Sequence, residues 1–186
     1  MSVAIAGDHV ETLLRVPMSY EEYLRLPSHP RHEWVDGLVV MAPAPSGPHQ
    51  QAARRLANLL EESLSACYVT EAAGVRLPRD RERIPDVLVF ATEPASWPAE
   101  RAPVAVVEVL SPSTRGEDLL RKAPEYAEAG IAQYWVVDID ARIIEVQVNV
   151  EGRWELLATV DGAHPTADVP VGDHGTVPLD LAAVLR

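Results

Sequence analysis

Val104-Ala105-Val106-Val107-Glu108-Val109-Leu110 is a nearly continuous apolar run broken by a single charge. A strand that reads this way must be covered on both faces, because a strand with one wet face alternates polar and apolar residues. It is the expected central strand. Ser111-Pro112-Ser113-Thr114 follows as a loop, and then a helix is expected from about Gly116 to Ala129, closed by Gly130. Pro124 lies inside that span and either kinks the helix or begins its second half. Tyr134 to Asp138 is a second buried strand.

Upstream, Ile84 to Phe90 is a further strand, interrupted by Pro85 and Asp86. Side chains alternate along a strand, so Asp86, Leu88 and Phe90 share one face, and Val104, Val106, Glu108 and Leu110 share another. If the two strands are neighbours, the two carboxylates converge. A carboxylate in a buried strand is costly unless it is paired or binds a metal. Two carboxylates with a backbone carbonyl suit a hard cation such as Mg²⁺ or Mn²⁺. Read from spacing alone, each could equally cap a helix or pair with an arginine.

Working outward, Ser19-Tyr20-Glu21-Glu22 has the pattern of a capping box and opens a helix that ends before Pro27. Glu33 to Met41 reads as a hairpin turning at Asp36-Gly37. After the proline-rich loop 42–48, a long helix is expected from His49 to Ser65, with Leu56, Leu59, Leu60 and Leu64 as its buried stripe. Tyr68 to Leu77 reads as one strand and Arg79 to Glu82 as a polar turn. Ile143 to Val150 and Trp154 to Val160 read as a C-terminal hairpin across Glu151-Gly152. Leu179 to Leu185 is expected to close the tail as a short helix. The fold class is α/β, or α+β by a stricter definition: a mixed central sheet flanked by helices. Residues 1–186 form one expected domain, with 1–16 a flexible or peripheral arm.

The 186 residues carry a formal charge of −12, which opposes nucleic-acid binding unless a local basic face exists. Candidates are Arg54 and Arg55; Arg76, Arg79, Arg81 and Arg83; and Arg115, Arg121 and Lys122. A cleft would be rimmed by members of the latter two groups. The single cysteine, Cys67, leaves no intrachain disulfide and no cysteine-based zinc site. No apolar run is long enough to span a bilayer. Met1 to Val16 lacks a basic leader, so the cytoplasm is the expected location. H-E-x-x-H, G-x-S-x-G, Walker and dinucleotide patterns are missing. Of sixteen basic residues, Lys122 is the one lysine. Lysine offers a compact ammonium whose pKa responds to burial, so chemistry is one reason to keep it and chance is the other.

Tyr20-Glu21-Glu22-Tyr23-Leu24, His32-Glu33-Trp34-Val35-Asp36-Gly37, Met41-Ala42-Pro43-Ala44-Pro45-Ser46, Pro85-Asp86-Val87, Val107-Glu108-Val109-Leu110-Ser111-Pro112-Ser113-Thr114 and Tyr134-Trp135-Val136-Val137-Asp138 occur in that order. The ordered set resembles the Uma2 family of endonuclease-type proteins. The likeness implies a PD-(D/E)XK nuclease core, with Asp86 and Glu108 as the two motif carboxylates. The motif lysine would stand at Leu110, and the family resemblance moves it to Lys122 on the next helix. It further implies Glu33 as an added metal group, directly or through water, beside Asp86, Glu108 and the Val109 carbonyl. His49 reads as a phosphate contact at a helix N-terminus or as that helix's cap, and Tyr126, one turn after Lys122, as a core residue or a support behind the site. The implied activity is Mg²⁺- or Mn²⁺-dependent hydrolysis of DNA, and a homodimer is expected because cleavage of two strands suits two-fold symmetry. The competing reading is a non-catalytic binding or regulatory module on the same fold.

Overall fold

The computed structural model describes residues 13–27 and 31–186. The apolar run becomes β8 (Ala105–Val109), buried at all five positions. It lies inside a six-stranded sheet with β4 (Tyr68–Glu71), β7 (Val87–Phe90), β9 (Gln133–Asp138), β10 (Ile143–Val150) and β11 (Arg153–Val160), in the order β11-β10-β9-β8-β7-β4. β8 runs parallel to β9 and antiparallel to β7. The parallel step needs a crossover, and the helical segment 115–128 supplies it.

The two faces of the sheet carry separate cores. The helix α2 (Gly47–Ser63), with Leu56, Leu60 and the following Leu64, packs on Val87, Val89, Val107, Val109 and Trp135. The opposite face carries Leu88, Phe90, Val106 and Leu110, covered by Ala123 and Tyr126 of the crossover. Both strands therefore need apolar residues at successive positions. That is why Glu108 is conspicuous in the sequence.

The crossover is not one regular helix. It comprises α3 (Arg115–Glu117), a π-helical turn over Asp118–Lys122, and α4 (Ala123–Glu128). Pro124 begins the second half, within the first turn of α4. A proline there has no N–H to lose, but its ring would crowd the carbonyl four residues earlier in a regular helix. The wider turn removes that conflict, with the Ala123 N–H reaching the Asp118 carbonyl five residues back.

A five-stranded sheet stands beside the first, in the order β1-β3-β2-β6-β5. Its strands are β1 (Leu14–Pro17), β2 (His32–Val35), β3 (Leu38–Met41), β5 (Val75–Leu77) and β6 (Arg81–Arg83). The β2–β3 turn has positive φ at both Asp36 (50°) and Gly37 (82°), the geometry that hairpin position favours. The capping box forms at Ser19, and α1 (Tyr20–Tyr23) is one turn long.

Three expectations change. Tyr68 to Leu77 is not one strand: β4 and β5 belong to different sheets, and the chain switches at Ala72 (φ 53°) and Gly74. A Cβ on Gly74 would stand 3.1 Å from Pro98, tighter than an ordinary contact, so a larger residue would push the proline back by a few tenths of an ångström. The turn of Arg79 to Glu82 is shorter than expected; Arg79 and Asp80 take positive φ, and Arg81 already lies in β6. The tail contains a hairpin of β12 (Thr166–Pro170) and β13 (Thr176–Asp180) before α5 (Leu181–Val184). Val169, Val177 and Leu179 enter the core from it. Of the expected arm, residues 1–12 lie outside the described residues, and Leu14–Pro17 pairs with β3. Among the described residues, no helix is long and apolar enough to cross a membrane.

Candidate active site

The register of β7 on β8 pairs Val87 with Val107, and the Asp86 N–H donates to the Val107 carbonyl. Asp86 therefore stands opposite Glu108, on the face that also carries Leu88 and Val106. The preceding Pro85 cannot donate to a ladder. Beyond the end of β7, Asp86 replaces the missing strand with its side chain, and its Oδ2 accepts the Val109 N–H at 2.8 Å. His49 Nε2 lies 3.2 Å from the same oxygen, and Arg31 lies 3.7 Å from Oδ1. Burial pushes the Asp86 carboxyl up, but His49 and the Val109 amide outweigh it and hold its pKa below the usual value. For His49, burial acts downward and the Asp86 carboxylate outweighs it, leaving the imidazole pKa raised.

Glu108 is 2% exposed. Its Oε1 accepts from the Tyr126 hydroxyl at 2.6 Å and from Lys122 Nζ at 3.1 Å. Burial raises its pKa to about 8; Lys122 opposes the rise, while Asp118 and Asp86 add to it. Lys122 Nζ is the hub, 3.1 Å from Glu108, 3.1 Å from Asp118 and 3.3 Å from Glu33. Burial favours the neutral amine, but these carboxylates outweigh it and keep the ammonium charged.

Asp118 was not singled out from the sequence. It sits one helical turn before Lys122, 2% exposed, and the π-helical turn directs both inward. An acid four residues before a lysine usually reads as a solvated surface pair, which is what hid it. Burial raises its pKa, with Lys122 acting against the rise.

Glu33 is in the site but is not free. Its Oε1 accepts the Ile84 N–H at 2.9 Å and its Oε2 accepts Arg83 at 2.9 Å. Burial acts upward on its carboxyl, yet Lys122 and Arg83 bring the pKa down to about 2. Arg83, also missed as a site residue, is fully buried. It forks onto Glu125 at 2.7 and 2.9 Å and reaches Glu117 at 2.9 Å as well as Glu33.

Arg31, Glu33, Asp86, Glu108, Asp118 and Lys122 border one cavity of about 490 Å³. The arginine rim expected from the sequence is corrected here: Arg76, Arg79, Arg81, Arg83, Arg115 and Arg121 do not line it, and Arg31 does. Each of the six is paired with a carboxylate: Arg79 with Glu128, Arg81 with Asp36 and Arg115 with Asp138 away from the cavity, Arg76 with Glu82, and Arg83 and Arg121 behind its wall with Glu117.

The donor set fits a divalent cation through two side chains. Asp86 and Glu108 are hard oxygen donors on opposed positions of neighbouring strands, and burial above all, with Asp118 and Asp86 adding to it, makes the Glu108 carboxylate costly to ionise beside Lys122 alone. Among the described residues no cluster of three acid, imidazole or thiol groups has a ligand arrangement. Any contribution of Glu33 would thus come through water, since its oxygens are committed.

The pKa of Glu108 gives a first expected result. A carboxyl whose folded pKa lies above its unfolded value contributes stability present below about pH 4.5 and lost as pH rises through about 8. Glu33 acts in the opposite sense and only below that window, between about pH 4.5 and 2. In chelator, the Tm of Glu108→Gln relative to wild type should therefore climb steadily across the Glu108 window. A difference that is flat with pH would show that Glu108 does not titrate there.

Over residues 20–184 the chain matches the family model Uma2, whose description is "Putative restriction endonuclease". A structural relative is the crystal structure of "a putative nuclease belonging to DUF820 from Anabaena variabilis ATCC 29413". It aligns with a TM-score of 0.72 and 19% identity over 91% of this chain and 98% of that one, a likeness of fold. No curated protein matches. Because the family match runs from the first residue of α1 to the last of α5, enclosing every residue of the site, this chain belongs to the Uma2 family.

Proposed function

We propose that the protein is a metal-dependent endonuclease that hydrolyses phosphodiester bonds in DNA. One observation carries the reading: Asp86 and Glu108 oppose each other across β7 and β8 at a single cavity, with Lys122 Nζ 3.1 Å from Glu108. The family match and the nuclease-type relative support it.

Asp86 and Glu108 would hold Mg²⁺ or Mn²⁺ together with the Val109 carbonyl, and Glu33 would assist through water. When bound, such an ion supplies Lewis-acid polarisation of the phosphoryl oxygen and a more acidic water. Lys122 would orient the attacking water and offset the charge that builds on the phosphoryl oxygens. The water oxygen bonds to phosphorus and releases a proton to solvent, the P–O ester bond breaks, and the leaving oxygen takes up a proton from solvent. Tyr126 fixes the Glu108 carboxylate through its 2.6 Å hydrogen bond. His49 and Arg31 flank Asp86 as phosphate contacts. A two-fold pair of chains would present two such sites to the two strands of a duplex.

The test is relaxation and linearisation of supercoiled plasmid in Mg²⁺, Mn²⁺ or chelator. Wild type should cut only with metal. Asp86→Asn and Glu108→Gln should each lose ~10²-fold or more. Undiminished cutting by Glu108→Gln would overturn the reading. Wild type that neither cuts nor binds Mn²⁺ would favour the non-catalytic binding module, which the net charge of −12 supports.

A further inference from the structure

Nine of the fifteen arginines lie within ion-pair distance of a carboxylate among the described residues: Arg15, Arg25, Arg31, Arg76, Arg79, Arg81, Arg83, Arg115 and Arg121. The other six are not spread evenly. Four of them, Arg54, Arg55, Arg142 and Arg186, border two cavities on either side of the first turns of α2.

The first of these cavities, about 710 Å³, is continuous in its lining with the active-site cavity, for Arg31, Pro45, His49 and Asp86 border both. It carries Arg54 and Arg55, with Glu71 the acid besides Asp86. The second, about 260 Å³, shares Gln51 and Arg55 with the first and adds Arg142 and Arg186, with no acidic side chain in its lining. Arg54 and Arg142 are exposed. Arg55 is steadied by Gln51 and by the Val184 carbonyl, and Arg142 by the Leu185 carbonyl, so neither charge is neutralised by its partner. At the junction, His49 is 9% exposed and its Nδ1 is buried without a hydrogen-bond partner.

We infer that the surface around the first turns of α2, lined by Arg54, Arg55, Arg142 and Arg186, is the track along which the DNA backbone leaves the active site. The inference rests on the endonuclease reading for its choice of polymer. A cavity of about 490 Å³ holds only the nucleotides at the cut, so the rest of the strand must lie on the surface next to it. Of the surfaces that adjoin Asp86, this one offers guanidinium groups not already held by carboxylates, and guanidinium forks match phosphate oxygens. The positive end of the α2 dipole lies between them. In a chain of charge −12, such a band is also where an anionic polymer would be tolerated.

The experiment measures binding, not cleavage. A short fluorescein-labelled DNA duplex is titrated with the full chain in Ca²⁺ and in chelator, at several salt concentrations. Wild type should bind at low salt. The triple variant Arg54→Gln, Arg142→Gln, Arg186→Gln should bind about tenfold or more weakly, and its salt slope should fall by roughly 0.9 for each phosphate that is no longer neutralised. Arg54→Glu, a single exposed change, should weaken binding in the same direction, and an unchanged Tm checks that both variants are folded. Equal affinities and equal slopes in wild type and variants overturn the track, as does a wild type that binds no DNA. Equal displacement of the duplex by polyglutamate of matched charge would also overturn it, in favour of an acidic protein partner. If wild type binds DNA through these arginines but never cuts it, the track stands and the endonuclease reading falls.

Discussion

Lys122→Ala should lower cleavage ~10²-fold or more, whether the ammonium acts on the attacking water or on the charge of the transition state. Leu110 supplies no charge at the motif position, and Lys122 Nζ lies 3.1 Å from Glu108. Lys122→Arg should fail as well. Three carboxylates enclose the ammonium at 3.1 to 3.3 Å, a point-like arrangement that a broad, planar fork cannot occupy. Full metal-dependent cutting by Lys122→Arg would show that the site does not depend on a compact ammonium. The structure adds a stability consequence. Removing the ammonium leaves Glu33, Asp118 and Glu108 around an unbalanced buried position, so the alanine variant should melt lower than wild type, most of all above about pH 8, and should recover part of the loss as pH falls towards 8 and Glu108 takes a proton. Single-turnover cutting and a Tm series on the same preparations separate the two effects. Loss of activity with unaltered Tm at every pH would mean that Lys122 does not neutralise these carboxylates.

Arg83→Met should give the largest loss of stability of any single charge removal, about 3–5 kcal/mol. Arg83 is fully buried and hydrogen-bonds Glu33, Glu117 and Glu125, which come from β2, α3 and α4. The methionine fills most of the space but leaves three carboxylates without their common cation. For a chain of this size that corresponds to a fall in Tm of roughly 10 °C. Arg83→Lys should restore little, because one ammonium cannot make the bidentate pair with Glu125 and also reach the other two. Calorimetry at neutral pH measures it, and a fall in Tm of a degree or two would show that the network contributes little. Because Glu33 also lies 3.3 Å from Lys122, the same variant should slow cleavage even where it is folded. Arg83 acts there by positioning, not by contact with substrate.

Much of this architecture is readable in the primary structure because it depends on neighbours in the chain. The apolar run at Val104–Leu110 can only be a covered strand. Asp36-Gly37 and Glu151-Gly152 supply the positive φ values that their hairpins use, 50° and 82°, and 52° and 81°. Period-two alternation puts Asp86 and Glu108 on faces that meet once β7 lies beside β8, and the rarity of lysine singles out Lys122. Each of these is a local pattern, recording which side of an element a residue takes.

The partner of a buried charge is a different kind of fact. Arg83 looks like one more member of an arginine-rich turn, and only the fold shows it enclosed by acids 34, 42 and 50 residues away. Glu33 looks like a free metal group until the same arginine and the Ile84 amide are seen to take its oxygens. Asp118 looks like half of a surface pair, and the π-helical turn ahead of Pro124 turns it and Lys122 inward together. The arginines beside α2 that no carboxylate holds become a band only when Arg142 and Arg186 come to border the same cavity as Arg55. The physical reason is common to all four. Side-chain periodicity is set by backbone geometry within a few residues, whereas the cost of burying a charge is met by whichever distant segment brings the opposite charge into hydrogen-bond range.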